Sequence, residues 1–195
     1  MTVTILVPGF GDNTGTVRGL ETFLRRKEIQ ACGISPQPSS GSMGIDGLAE
    51  QLAETIEQSF PPETRLNFVG FSMGGLICRA YIQRLGGLAR TERLITIATP
   101  HQGTWAAYVY NWPACVQMRP GSRFLQELNH DLSPLRQLHF TSIWTPLDLT
   151  ILPSTNSYLP VGNMVTIVAP FHRTLLSDDR ILSAIANQLQ KPLKC

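Results

Sequence analysis

Charge is scarce in this chain: Asp, Glu, Lys and Arg make up only 15% of its 195 residues, and 16 basic against 14 acidic side chains leave a formal net charge of +2. Nucleic-acid binding needs a basic stripe to meet phosphates, and the basic residues here are scattered; the triplet Arg25, Arg26, Lys27 reads as the solvated end of a helix. No nucleic-acid partner is therefore implied. A hydrophobic content of 43% excludes a disordered chain. Long apolar runs are missing too, and none reaches the roughly 20 residues a membrane-spanning helix needs. The apolar start lacks a basic region and a small-residue cleavage site, so it does not read as a secretory leader. Cysteine is sparse: Cys32, Cys78, Cys115 and Cys195 show no Cys-x-x-Cys spacing, which points to reduced thiols, no metal site and a reducing, cytoplasmic setting.

What the chain does have is alternation. Short β-rich runs at 2–7, 29–34, 65–70, 93–98, 139–144 and 164–168 are separated by helical periodicity at 14–27, 44–60, 73–86 and 179–190. This is the pattern of a parallel sheet covered by helices on both faces. Leu48, Leu52, Ile56 and Phe60 step by four residues, a stripe expected in the core. With no repeat and no linker, the expectation is one α/β domain over 1–195, its six strands in spatial order 2-1-3-4-5-6. Residues 103–136 break the rhythm. They form an insertion too long for an ordinary connection, and such loops usually carry function.

Gly70-Phe71-Ser72-Met73-Gly74-Gly75 follows an apolar strand and opens an apolar helix. A serine on so sharp a turn is strained, and only small residues two positions away avoid it; the turn lifts its hydroxyl clear of the sheet. The bare pattern is common, but its strand-turn-helix context is not. Ser42, between Gly41 and Gly44 with no strand before it, reads as a loop residue. Ser72 is the expected nucleophile.

A serine hydroxyl needs a base, and imidazole suits neutral pH. On this kind of scaffold the acid follows the serine in chain order and the base follows the acid. His101 has no aspartate between itself and Ser72, His139 begins a strand at the wrong sheet edge, and His130 lies in the insertion. His172 follows the last strand by a short loop and is the expected base. Asp148, just past the strand 139–144, is the expected acid, preferred to Asp131 in the insertion and to Asp178 and Asp179 at a helix start. Two backbone N–H groups must meet the oxyanion: that of Met73, and that of Phe10 in the turn Pro8-Gly9-Phe10-Gly11.

These residues, with Ala98-Thr99-Pro100-His101-Gln102-Gly103 and Pro120-Gly121-Ser122-Arg123-Phe124-Leu125, resemble the small lipase/esterase branch of the α/β hydrolases. The likeness is to compact bacterial triacylglycerol lipases and the lipase-like GPI inositol-deacylase group, and runs from about 2 to 189. It implies hydrolysis of carboxylic esters with long acyl chains and no cofactor. It also implies that His101 shapes a loop beside the site. Such lipases carry His-Gly where this chain has Pro8-Gly9.

A lipid acyl ester is the leading substrate, with Trp105, Trp112, Met118 and Phe124 of the insertion as candidate pocket walls or, equally, as packing of a small cap. A thioesterase or small-ester esterase is the alternative, and a non-catalytic binding module on the same fold a remote one. No protein partner is implied, and transient contact with a membrane surface is compatible with a lipid substrate.

Overall fold

Two strands are buried on both faces beyond their first residue, β1 (Thr2–Val7) and β3 (Arg65–Phe71), and they pair in parallel at the heart of the sheet. Covering helices on both sides explain why such strands read as near-continuous apolar runs. In this computed structural model, which describes residues 2–192, β2 (Ala31–Gly33), β4 (Thr91–Ile97), β5 (His139–Trp144) and β6 (Asn163–Thr166) complete the sheet. All pairings are parallel, in the order β2-β1-β3-β4-β5-β6, as the alternation of the sequence predicts.

The helices are α1 (Thr14–Arg26), α2 (Ile45–Ser59), α3 (Met73–Arg84), α4 (Pro113–Gln117), α5 (Arg123–His130), α6 (Ser133–Arg136) and α7 (Asp179–Gln190). Asn13 caps α1 by accepting the Gly15 N–H at 2.8 Å, and Val17, Leu20 and Leu24 turn one face inward. Arg25 and Arg26 end that helix in solvent, where they meet the negative end of its dipole. The α2 stripe Leu48, Leu52, Ile56 is buried, with Phe60 packed against it. Leu6, Val69, Phe71, Ile95 and Ile97 join α1 and α7 in one core; Ile5, Val7, Phe68 and Leu94 join α2 and α3 in the other.

Two expectations change. The edge strands β2 and β6 are shorter than their apolar runs, because each has only one neighbour to bond. The insertion is not irregular: it holds a 3₁₀ turn (Trp105–Tyr108) and the short helices α4, α5 and α6. Its buried side chains pack directly onto the main core. Ala107, Ala114, Cys115, Met118, Phe124, Leu125 and Leu128 belong to the α2–α3 core.

Cys32, Cys78 and Cys115 are free thiols, and Cys195 lies outside the described residues. Among the described residues no helix is long and apolar enough to cross a membrane, and no group of His, Cys, Asp and Glu could hold a metal ion.

Candidate active site

The chain passes from β1 to edge strand β2 and then crosses back over β1 to β3, so the switch point lies between β1 and β3. A crevice opens there at the carboxyl ends of the strands. Ser72, between β3 and α3, stands in it with φ 54° and ψ −124°, a conformation non-glycine residues avoid. Its N–H donates to Ile97 O at 2.8 Å, which pins the turn to β4. The glycines make room for it. A methyl at Gly74 would lie 2.2 Å from Val7 O, and one at Gly70 would lie 2.5 Å from Gly75 Cα. The turn is sharp because α3 doubles back against β1 at contact distance.

His172 opens a 3₁₀ turn (His172–Ser177) beyond β6, and Asp148 lies in the loop beyond β5. They meet at 2.7 Å between His172 Nδ1 and Asp148 Oδ2. Asp148 is buried, and its other oxygen, Oδ1, accepts the N–H groups of Thr150 at 2.8 Å and Ile151 at 3.0 Å. Thr145 Oγ1 ties the same two loops: it donates to Ala169 O at 2.8 Å and accepts the Ala169 N–H at 3.2 Å. The Phe71 ring packs on the imidazole at 4.9 Å between centroids. His172 Nε2 is shielded from solvent and has no hydrogen-bond partner among the described residues. A buried polar nitrogen left so is unusual and marks a position that awaits a proton donor or acceptor.

The loop after β1 supplies N–H groups. Gly11 donates to Ser39 O at 2.8 Å and Asp12 to Gly9 O at 3.2 Å, while the Phe10 N–H has no partner among the described residues. Gly9 brings this loop against the serine, for a methyl there would lie 2.9 Å from Ser72 Cβ. Met73 is the first residue of α3, where no carbonyl one turn back can accept its N–H. Phe10 itself is held by a stack of rings, 6.0 Å from Trp112 and 6.5 Å from Tyr110.

Two clefts meet at Ser72. One, of ≈ 220 Å³, is lined by Phe10, Ala106, Ala107, Met118 and Ile151 among others and carries no charged side chain. Of the expected pocket residues only Met118 lines it. Trp105 projects into solvent (60% exposed), Trp112 stacks on Phe10, and Phe124 is buried beneath the Arg84 guanidinium. The insertion does supply walls there, through Met118 and Tyr110 and also through Thr104, Ala106, Ala107 and Val109, which the sequence did not single out. Cys115 also lines this cleft; burial raises its pKa and keeps it a neutral thiol. The second cleft, of ≈ 450 Å³, is lined by His172, Arg173, Asp12 and Phe171.

His101 is fully buried, with Nδ1 3.2 Å from Arg79 Nη1 and Nε2 3.0 Å from Thr96 Oγ1. Burial first, and then the Arg79 charge, hold its pKa well below the ordinary histidine value. It is neutral, and both of its ring nitrogens are engaged by Arg79 and Thr96. Arg79, also fully buried, has its pKa lowered to about 9 by burial and remains a cation at neutral pH. It donates to Gln83, Asn129 and Leu128 O, and Asn129 in turn donates to His101 O at 2.9 Å. Nothing in the sequence announced this network, because its members come from β4, α3, α5 and a loop.

A parallel sheet of this order, with a strained serine at its switch point, is the α/β-hydrolase fold, and solved structures agree. A Bacillus licheniformis lipase in mature form superposes with TM-score 0.77 at 14% identity, over 96% of this chain and 91% of that one. A metagenomic carboxyl esterase gives 0.72 at 12%, over 89% and 65%. Lipase B of Aspergillus fumigatus gives 0.70 at 16%; the match covers 89% of this chain but only 45% of the fungal enzyme. At such identities the likeness is one of fold. No curated protein matches the sequence significantly. The family is shown by the sequence itself: the palmitoyl protein thioesterase profile matches residues 4–146, and the chain belongs to that family. Fold and family together are those of ester hydrolases. The matched segment contains Ser72 and ends just before Asp148.

Proposed function

We propose that the protein is a serine hydrolase of acyl esters, with Ser72 as nucleophile, His172 as base and Asp148 as the acid that orients it. The observation that carries this is the buried, partnerless His172 Nε2, in a residue that shares a cleft with the strained Ser72 and is aligned from behind by Asp148. Asp148 accepts the Nδ1 proton and so leaves Nε2 as the basic nitrogen. Ser72 Oγ attacks the acyl carbon as Nε2 takes its proton. The tetrahedral oxyanion is met by the N–H groups of Phe10 and Met73. Collapse breaks the acyl carbon–leaving-group bond, and the departing atom takes the proton back from Nε2. Water then repeats the sequence and releases the acid.

The uncharged cleft beside Ser72 suits the acyl group, whose methylenes each contribute about 0.8 kcal/mol when they leave water. Family membership favours a thioester as the second reading, for the same steps cleave a carbon–sulfur bond. A fluorophosphonate probe should label the wild type and not Ser72→Ala, which should keep its thermal transition. Hydrolysis of matched esters and thioesters from acetyl to palmitoyl then decides between the substrate classes. Equal labelling of Ser72→Ala would move the nucleophile elsewhere.

A further inference from the structure

Of the two clefts that meet at Ser72, only one contains His172. Granting that Ser72 and His172 act as proposed above, chemistry decides what enters each. His172 returns its proton to the departing atom, so the leaving group must lie on the side that His172 lines. We propose that this second cleft is a leaving-group subsite, and that Arg173 makes it select leaving groups bearing an anionic group such as a carboxylate or phosphate.

The charges that line the cleft are few and ordered in depth. Besides His172 they are Asp12 and Arg173. Asp12 is fixed within the loop after β1. Its carbonyl accepts Ser39 Oγ at 2.6 Å, and its Oδ1 accepts Thr16 Oγ1 at 3.3 Å and Arg173 Nη2 at 2.8 Å. Its side chain is only 4% exposed, whereas that of Arg173 is 70% exposed. The pair is therefore a dipole with its negative end buried and its positive end outermost. One guanidinium N–H is committed to Asp12, and the others have no partner among the described residues. An incoming anion finds free donors in fork geometry, and an incoming cation meets the guanidinium first. Leu149 and Phe171, both largely exposed, flank the cleft and suit a short apolar link between the ester and that anion.

The test uses three hexanoyl thioesters that differ only in the thiol: thioglycolate (anionic), mercaptoethanol (neutral) and thiocholine (cationic). Each is assayed with the wild type, Arg173→Met and Arg173→Lys; comparison between enzymes for one ester cancels the thiol's intrinsic reactivity. Arg173→Met should reduce kcat/KM for the thioglycolate ester about fivefold more than for the mercaptoethanol ester. The thiocholine ester should fall least, or rise, because the uncovered Asp12 then faces it. Arg173→Lys should preserve the order. Added salt should shrink the wild-type preference, a test that needs no substitution. A uniform reduction across the three esters, or a salt-independent wild-type order, would overturn the subsite and leave Arg173 a tether for the Asp12 loop. A wild type that cleaves none of them and escapes the fluorophosphonate probe would instead overturn the assignment of Ser72.

Discussion

Asp148 Oδ2 and His172 Nδ1 stand 2.7 Å apart and join the loops that follow β5 and β6. The contact is held from behind, since Thr150 and Ile151 N–H groups fix Asp148 Oδ1 and Thr145 stitches one loop to the other. A carboxylate so bonded has a single free oxygen, and that oxygen belongs to His172.

Asp148→Asn should therefore lower kcat by about 10³–10⁴ while the fold persists, because the amide can favour the wrong imidazole tautomer. Asp131→Asn and Asp178→Asn should change kcat less than about threefold. The first of these carboxylates bonds the Ser133 N–H and the second caps α7. Steady-state kcat for one ester across the three variants gives the order. A larger loss at either control would reassign the acid.

Met118 and Trp112 should separate cleanly. Met118 is buried in the α2–α3 core as well as lining the cleft, so Met118→Ala should cost about 2–4 kcal/mol and alter the acyl-length profile. Trp112 is half-exposed and braces Phe10. Trp112→Ala should cost about 1 kcal/mol and lower kcat by a similar factor at every chain length, through the loosened Phe10 loop. Chemical denaturation and a chain-length series read both. Equal stability losses would contradict the placement of Met118.

The depressed pKa of His101 makes stability depend on pH. Below the ordinary histidine value of 6.5 the unfolded chain binds a proton that the native His101 refuses, so this contribution is complete above about pH 6.5 and declines as pH falls beneath it. The denaturant midpoint should drop between pH 7 and pH 5. The drop should be smaller in His101→Gln, which binds no proton in either state. An identical pH dependence in that variant would assign the effect to other groups.

Two glycine substitutions should have opposite signs. Gly74→Ala drives a methyl against the Val7 and Pro8 carbonyls, both rigid backbone, and should cost more than about 3 kcal/mol and abolish probe labelling. Gly19→Ala, in α1 with open space around the added methyl, should stabilise by about 0.5–1 kcal/mol. Urea unfolding of the two tests the packing of α3 on β1 in the first and the open face of α1 in the second.

Local chemistry wrote much of this protein into its sequence. Apolar runs separated by helical periodicity determined the parallel sheet and its order, because a covered parallel strand must be apolar on both faces. The turn at Ser72 was legible because a Gly-x-Ser-x-Gly pattern stands between an apolar strand and an apolar helix, although the carbonyls that exclude a methyl at Gly74 come from Val7 and Pro8, far away in the chain. The meeting of Asp148 and His172 was legible because each follows a strand on the same sheet edge. Tertiary structure alone decided the rest. Arg79 and His101, Asp12 and Arg173, and Phe10 and Trp112 are partners from distant parts of the chain, and no period or spacing encodes such a meeting. The insertion shows the limit best: of the expected Trp105, Trp112, Met118 and Phe124 only Met118 lines the cleft, beside Ala106 and Ala107, which nothing in the sequence marked. Hydrophobicity shows that a residue gains by leaving water. Whether it does so in the core, in a cleft or in a ring stack depends on which neighbours the completed fold brings to it.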